Sequence, residues 1–335
     1  MRDRHSALHA YAGWNTGDNT RRCSSGGAAY LLGLYILRNQ GVVYGTVIET
    51  GGKAAVARII SAEELERTKG SKYVRSSLSA DIISSMKADL KDGKMILFVG
   101  TPCQVAGIRK RFGDGDGRLF LADLLCHGTP PQSYLDEELR YLAAKGRLSG
   151  PGPVTDIRFR SGSEKSDYHL SIWNQDNCQY SVEARKQPYV LAMLQGVTLM
   201  EGCYECPFAH PERAGDITLG DYIGLGAEDG FRADADKISY ISVNTPAGIL
   251  LYDRMLKAFP DFSSVERPVD ERQAYRTSIL EPAAKSPLRG KFLRLLPRLG
   301  FARAVRRTMR GEILRQSGLY RRLHHLAHRI KSIIS

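Results

Sequence analysis

Short apolar runs and segments with regularly spaced apolar residues follow one another along the chain, and this pattern predicts an α/β protein. The runs GVVYGTVIE, AAVARII and KMILFVG have the length and the apolar content of strands. Between and after them, SADIISSMKADLKDG, QVAGIRKRFG and PPQSYLDEELRYLAAKG read as helices, the last with proline in its first turn. Strand, helix and strand recur, which is the pattern of a parallel or mixed sheet core with helices on its faces.

The pattern changes after the linker candidate SGPGPV at 149–154. The shorter runs DIRFRS, YHLSIW and CQYSVEA follow it and predict a more antiparallel C-terminal part. Beyond Pro287 the residues fit a basic helical tail.

The net charge of +12 is located entirely in that tail. From Pro287 onward there are thirteen Lys or Arg and one acid, Glu312, so the residues before Pro287 are electrically neutral and imply no nucleic-acid face. An uneven apolar stripe accompanies the basic residues: Leu314, Leu319, Leu323, Leu326, Ile330 and Ile333. A solvated or docked terminal helix, attachment to an anionic membrane surface, and binding of RNA or an acidic partner all fit this tail.

The absence of long apolar segments indicates where the protein is located and in which state its cysteines are. It shows no apolar signal segment near Met1 and no apolar run approaching 18 residues, so we expect a cytoplasmic protein, or one peripheral at the inner membrane face. In that compartment we expect the six cysteines of the 335-residue chain to be reduced thiols. Binding of a metal or a cluster, or redox chemistry, is then a better explanation for them than disulfide bonds.

Four of the six cysteines form a candidate site. Cys103 and Cys126 each follow a predicted strand, and the carboxyl ends of strands in an open α/β sheet are where ligands collect. Cys203 and Cys206 add a C-x-x-C in CYECPF. Four sulfurs have the number and type for an iron–sulfur cluster or a zinc ion, while a C-x-x-C alone leaves zinc, cluster, redox pair and accident open.

Other polar positions are weaker candidates. Small residues open the first predicted helix and form either a phosphate cradle or ordinary helix capping: Ser24, Ser25, Gly26 and Gly27. Two side chains of SKYVRSS, Lys72 and Tyr73, are expected to be exposed together. A tight acidic turn is expected from Asp216, Gly220 and Asp221.

Six motifs, in order, carry a family likeness over roughly 11–259. SSGG, GSKYV, LFVGTPCQVAG, DLLCHG, GCYECPF and RAGDITLGDY resemble the coenzyme F-420 hydrogenase/dehydrogenase beta-subunit family. The resemblance divides the chain into an N-terminal beta-subunit-type domain over 1–82, a C-terminal one with the cysteines over 83–275, and the basic tail over 276–335.

The resemblance implies a flavin- and iron–sulfur-dependent oxidoreductase subunit that holds FAD and one 4Fe-4S cluster. Such a subunit transfers electrons between a ferredoxin-like or other donor protein and a deazaflavin, coenzyme F-420, or an unidentified organic substrate. It makes the four cysteines cluster ligands, and assigns Ser24–Gly27, Lys72, Tyr73 and the predicted acidic turn to flavin binding. His127 is a catalytic candidate that is equally explained as a hydrogen-bond donor behind the cysteines or a structural histidine.

Two features depart from the family pattern. Only about ten residues precede YAGWN, where many members have a cysteine-rich ferredoxin-like region, so we expect electrons to arrive from a separate protein or from a missing N-terminal portion. Cys23 and Cys178 match no motif and are expected to be non-ligands. The alternative function is a non-redox accessory protein of polysaccharide biosynthesis that retains the fold.

Overall fold

An eight-stranded mixed sheet forms the centre of the fold, as the hydrophobic pattern predicts. The computed structural model describes residues 4–15, 22–148, 152–161, 168–274 and 281–316. The strands of this sheet are β1 (His9–Asn15), β2 (Val42–Glu49), β3 (Lys53–Ile59), β4 (Ile96–Gly100), β5 (Leu119–Leu124), β9 (Ile217–Asp221), β10 (Ser239–Val243) and β11 (Phe262–Arg267). Their order is β11-β1-β10-β9-β5-β4-β2-β3.

Strand directions place several carboxyl ends at one edge of this sheet. Strands β2, β4, β5 and β9 run parallel, in the register Gly100↔Asp123 between β4 and β5 and Leu124↔Leu219 between β5 and β9. The strands β3, β10 and β11 are antiparallel to their neighbours. The segments that follow β4, β5 and β9 therefore meet at the edge where α/β sheets bind ligands.

Helices cover both faces of the sheet. They are α1 (Ala28–Arg38), α2 (Ala62–Glu66), α3 (Ala80–Lys91), α4 (Pro102–Phe112), α5 (Gln132–Ala144), α6 (Pro188–Leu194), α7 (Pro246–Ala258), α8 (Glu271–Ala274), α9 (Arg289–Thr308) and α10 (Arg310–Gln316). Alternate strand residues point to opposite faces. Val43 therefore packs in a core with α1 and α7, and Val42 in another with α3 and α4.

A separate antiparallel sheet confirms the predicted change of pattern after the linker. Its strands are β6 (Asp156–Arg158), β7 (His169–Asn174) and β8 (Asn177–Glu183), in that order. Ile157 and Ile172 of this sheet share a buried cluster with Leu139 of α5 and Val190 of α6. This sheet therefore packs against α5, which is the helix that follows β5 in the chain.

The basic tail enters that same cluster. Phe292, Phe301 and Val305 of α9 are fully buried in it, and the helix breaks at Gly300, whose φ is 69°. The stripe positions from Leu319 onward lie outside the described residues, and Leu314 on α10 is exposed. Among the helices that are described, none has the length and apolar content to cross a membrane.

The predicted domain boundary at residue 83 falls between β3 and β4. Both strands belong to the eight-stranded sheet, so residues on either side of the boundary build one sheet. The division into 1–82, 83–275 and 276–335 stays a prediction.

Candidate functional site

Cys103 and Cys126 are brought together by two neighbouring parallel strands. Cys103 lies in the first turn of α4, just after β4, and not on the strand itself. Cys126 follows β5 by two residues. Both thiols line one cavity at the carboxyl edge of the sheet, as expected of residues that follow adjacent strand ends.

The C-x-x-C loop supplies the other two thiols of this cavity, which we call the cysteine cavity. Cys203 ends a 3-10 turn, Glu201–Cys203, and Cys206 follows it; both line the cavity. Gly128, after Cys126, has a φ of 94°, and a Cβ there would lie 3.0 Å from the Cys203 Cβ. Glycine in the CHG motif therefore allows the two cysteine segments to approach closely.

A buried ion pair holds the C-x-x-C loop against β5. Arg213 donates to Asp123 Oδ1 at 2.8 Å, and both side chains are almost completely buried. The same guanidinium donates to the carbonyl oxygens of Phe208, His210 and Leu124, each at 3.3 Å. Because one arginine ties the loop to the strand before Cys126, it positions the two pairs of cysteines relative to each other.

Burial favours the protonated thiol at two of the four cysteines, Cys126 and Cys203. Burial raises the pKa of the Cys126 thiol to about 12, and the other three cysteines contribute to the rise. Burial also raises the pKa of Cys203. Thiols so close together resist losing protons unless positive charge is supplied, and metal or cluster ligation requires thiolates.

Hydrogen-bond donors already point at the sulfurs. Gly128 N–H donates to Cys126 Sγ at 3.4 Å, and the backbone of Thr129 donates to Cys203. Arg75 Nη1 donates to Cys103 Sγ at 3.5 Å. Such donors stabilise thiolates and tune the potential of a bound cluster.

The four thiols share a cavity without forming a finished coordination geometry. Within the described ranges, no group of three or more His, Cys, Asp or Glu is arranged to hold a metal ion. The donor set and the N–H groups fit a four-cysteine cluster, but binding it requires the side chains to turn toward one centre.

The SSGG segment lies beside the same edge of the sheet. Ser24 Oγ is 2.7 Å from Ser71 Oγ, and Ser25 Oγ is 3.0 Å from Ser239 Oγ on β10. Gly26 packs directly on the sheet, since a Cβ there would lie 2.1 Å from the Gly13 carbonyl oxygen. Gly27 caps α1 with no side-chain hydrogen bond. The Gly26 position is therefore explained by backbone packing, while the start of α1 offers free N–H groups.

The expectation that Lys72 and Tyr73 are exposed together is wrong. Lys72 Nζ is buried and donates to Asp156 Oδ1, the Lys69 carbonyl oxygen and the Ile157 carbonyl oxygen at 3.0–3.1 Å. Its three donors are thus used within the protein.

Tyr73 is half-buried and connects two parts of the site. Its ring packs on the apolar cluster of Met193, Leu199 and Tyr204, against which Cys203 also packs, and it contacts Phe159 at 5.5 Å between ring centroids. Burial raises the pKa of Tyr73, and Arg160 opposes this rise.

The predicted acidic turn is also wrong, because its residues lie along β9. Asp216, just before the strand, is buried and accepts hydrogen bonds from Arg109, Leu121 N–H and Thr245, each at 2.8 Å. Gly220 is paired within the strand. Only Asp221, at the carboxyl end of β9, reaches the edge where the cysteines lie.

Asp221 is paired with an arginine that the sequence motifs do not include. Arg160 Nη1 donates to both carboxylate oxygens at 2.6 and 2.8 Å, and Arg272 Nε donates to the Asp221 carbonyl oxygen at 3.0 Å. His127 lines the cysteine cavity, and removal of water, then the charge of Arg272, lower its pKa. Arg160 comes from the turn after β6, so nothing local in the sequence links it to this edge.

The remaining two cysteines lie elsewhere. Cys23 is buried in the core beneath α1, and Cys178 is exposed on β8. Neither lines the cysteine cavity.

Comparison with solved structures supports the fold. A solved structure of the F-420-reducing NiFe hydrogenase complex from Methanosarcina barkeri is similar to the chain, with a TM-score of 0.51 and 16% sequence identity over 83% of this chain and 91% of that chain. At that identity the likeness concerns the fold. No curated protein matches the chain.

The family comparison concerns the part of the chain that carries the cysteines. A family model for the C terminus of the coenzyme F-420 hydrogenase/dehydrogenase beta subunit matches residues 93–260, which is half of the chain and includes all four cysteines of the cavity. Hydrogenases and dehydrogenases, which this family description names, are oxidoreductases. The chain belongs to the coenzyme F-420 hydrogenase/dehydrogenase beta-subunit family.

Proposed function

We propose that the protein is an oxidoreductase subunit that holds one 4Fe-4S cluster and FAD. The observation that supports this most is the convergence of Cys103, Cys126, Cys203 and Cys206 on one cavity, from three separate segments. A common ligand would account for thiols from distant segments lining one cavity. The family of hydrogenase and dehydrogenase beta subunits supports the redox class.

The four cysteines would be the cluster ligands. Gly128 N–H, the Thr129 backbone and Arg75 stabilise the negative charge on their sulfurs. Arg213 and Asp123 keep the C-x-x-C loop against β5 and thereby fix the distance between the two pairs of thiols.

The flavin would bind where the SSGG segment, Tyr73 and Asp221 approach the cysteine cavity. The free N–H groups at the start of α1 suit its phosphates, and Ser24 and Ser71 offer hydroxyls beside them. When bound, flavin and cluster together supply conversion between two-electron and one-electron transfer. Tyr73, which packs on the same apolar cluster as Cys203, and His127, which lines the cysteine cavity, would limit water there.

The electron partners belong to the same proposal. We infer a ferredoxin-like or other donor protein on one side and a deazaflavin, coenzyme F-420, or an organic substrate on the other. The cytoplasm is the expected location.

The cluster assignment is tested by single Cys→Ser variants. Cys103→Ser and Cys126→Ser in protein purified without oxygen should lose most iron, sulfide and broad visible absorption, and should unfold at lower temperature because cluster binding is coupled to folding. Cys178→Ser removes an exposed thiol that does not line the cysteine cavity and serves as the matched control. Full iron content in the two strand-end variants would exclude the assignment, and a wild type without iron or flavin would support the non-redox accessory protein.

The proposed flavin site is tested by introducing a negative charge at Ser24. Ser24→Asp places a carboxylate at the start of α1, where it would repel the flavin phosphates, so flavin retention should fall at least tenfold. Ser24→Asn has nearly the same size without the charge and should retain much more flavin. The measurement is flavin released on denaturation, with iron as the internal reference. Equal flavin in the two variants would move the phosphate site elsewhere.

A further inference from the structure

A second cavity, of about 450 Å³, lies beside the cysteine cavity and shares Cys103 and Arg75 with it. Its other walls are the 76–78 segment, the first turns of α4 and Gln132 at the start of α5. This volume is within the range of small-molecule sites. The cluster and flavin assignments leave this cavity without a ligand, and we call it the α4 cavity.

Arg75 and Ser76 are the donors that remain available in the α4 cavity, and the exposed hydroxyl of Ser77 can donate or accept. Ser76 is 7% exposed, and its Oγ accepts from Thr46 at 3.2 Å and from Gln104 at 3.0 Å. Its own hydroxyl hydrogen has no acceptor among the described residues. By contrast, the amide of Gln132 is used by Ala54 N–H and the Gly52 carbonyl oxygen.

Arg75 adds a cation to the same wall. Its guanidinium contacts Cys103 Sγ at 3.5 Å, and no carboxylate in the described part of the chain pairs with it. No Asp or Glu lines the cavity. Available donors, one cation and no acid in the wall together favour a ligand that is rich in acceptor atoms and negatively charged.

We propose that the α4 cavity binds a small oxyanion, a carboxylate or a phosphate ester, through Arg75 and Ser76. The cavity meets Cys103, so an anion bound there lies next to the cysteine that would hold the cluster. Its role as the enzyme's substrate class rests on the proposed function, whereas the binding itself does not.

The chain offers a clean steric test at Gly107. Gly107 is exposed, and a Cβ at this position of α4 would meet nothing within 4 Å, so Gly107→Leu places side-chain atoms at the cavity with better helix propensity. Gly290 of α9 is equally open, and Gly290→Leu is the matched control. Arg75→Gln removes the cation.

The experiment is calorimetric titration of the purified full-length protein with inorganic phosphate and, separately, with citrate. Binding of phosphate alone indicates a phosphate ester, and binding of citrate alone a carboxylate. Gly107→Leu and Arg75→Gln should each weaken the binding at least tenfold, and Gly290→Leu should leave it unchanged.

Two results would overturn the site: neither probe binds the wild type, or both variants bind as the wild type does. The iron and flavin contents of the same samples test the proposed function independently of the anion-binding result. A colourless protein that binds the probe, with binding lost in Gly107→Leu, would keep the site and remove its redox role.

Discussion

At the scale of single residues, the buried carboxylate of Asp89 shows how strongly this fold depends on ionised side chains. It accepts hydrogen bonds from Tyr44 at 2.6 Å, Arg58 at 2.6 and 2.7 Å, and Lys94 at 3.0 Å. Burial alone would raise its pKa, but the hydrogen bonds, that of Arg58 first, lower the pKa of Asp89 to about 2. The carboxylate therefore ties α3 to β2 and β3 only while it is ionised.

The stability of the protein should consequently depend on Asp89 in acid. Because its folded pKa lies below the unfolded value of about 3.9, ionised Asp89 stabilises the fold above about pH 4, by about 2 kcal/mol, and this is lost as the pH falls toward 2. The difference in unfolding free energy between wild type and Asp89→Asn should shrink by about 1 kcal/mol between pH 6 and pH 3. Urea unfolding measures this difference.

The matched control for that series is Asp92→Asn, which removes an exposed acid at the end of α3. Its difference from wild type should stay nearly constant with pH. A pH-independent difference for Asp89→Asn as well would contradict the acid dependence.

At the scale of elements, local periodicity was sufficient for three neighbouring strands of the sheet and for several helices. The apolar runs predicted β2, β3 and β4, and the spaced apolar residues predicted α3 and α5. This works because the residues on one buried face of a helix or strand recur at fixed short spacings in the sequence. The meeting of Cys103 and Cys126 was also predictable, since parallel strands share a carboxyl edge.

Contacts between distant segments could not be predicted in this way. Lys72 is buried because Asp156, 84 residues later, receives its ammonium group. Asp216 lies on the sheet and bonds Arg109, 107 residues earlier, so GDITLGDY forms a strand where its polar residues suggested a turn. Sequence alone gives no register between such segments, and the arginines of the site were missed for that reason.

The helix α9 illustrates the same limit. Its composition left a solvated helix, a docked helix and a membrane-bound helix open, and the structure shows that α9 is docked. Two of its arginines are structural: Arg289 donates to Tyr204 at 2.9 Å, and Arg306 forms an ion pair with the buried Glu138. With Phe292 and Phe301 also buried, this helix is part of the core. Deletion from Pro287 would therefore unfold part of the protein and could not test what the basic surface binds.

At the scale of the whole molecule, the charge is separated between a neutral body and a basic surface. On α9 and α10, Arg294, Arg298, Arg303, Arg307 and Arg310 are exposed, and none forms an ion pair within the described ranges. Two leucines, Leu293 and Leu314, are exposed on the same helices, at 42% and 53%. Positive charge with exposed apolar side chains favours an anionic membrane surface as the partner.

Replacing Arg294, Arg298, Arg303 and Arg307 by glutamine should release the protein from anionic vesicles. Each basic residue near such a surface contributes about 1 kcal/mol, so four replacements should weaken binding to phosphatidylglycerol vesicles by more than tenfold at low salt. Phosphatidylcholine vesicles should bind neither protein. The matched control neutralises four exposed basic residues of α3 and α4: Lys87, Lys91, Lys110 and Arg111. It changes the net charge equally, so similar co-sedimentation of the two variants would show that the α9 surface is not the contact. Strong, salt-sensitive binding to duplex DNA without vesicle binding would instead identify a nucleic acid as the partner.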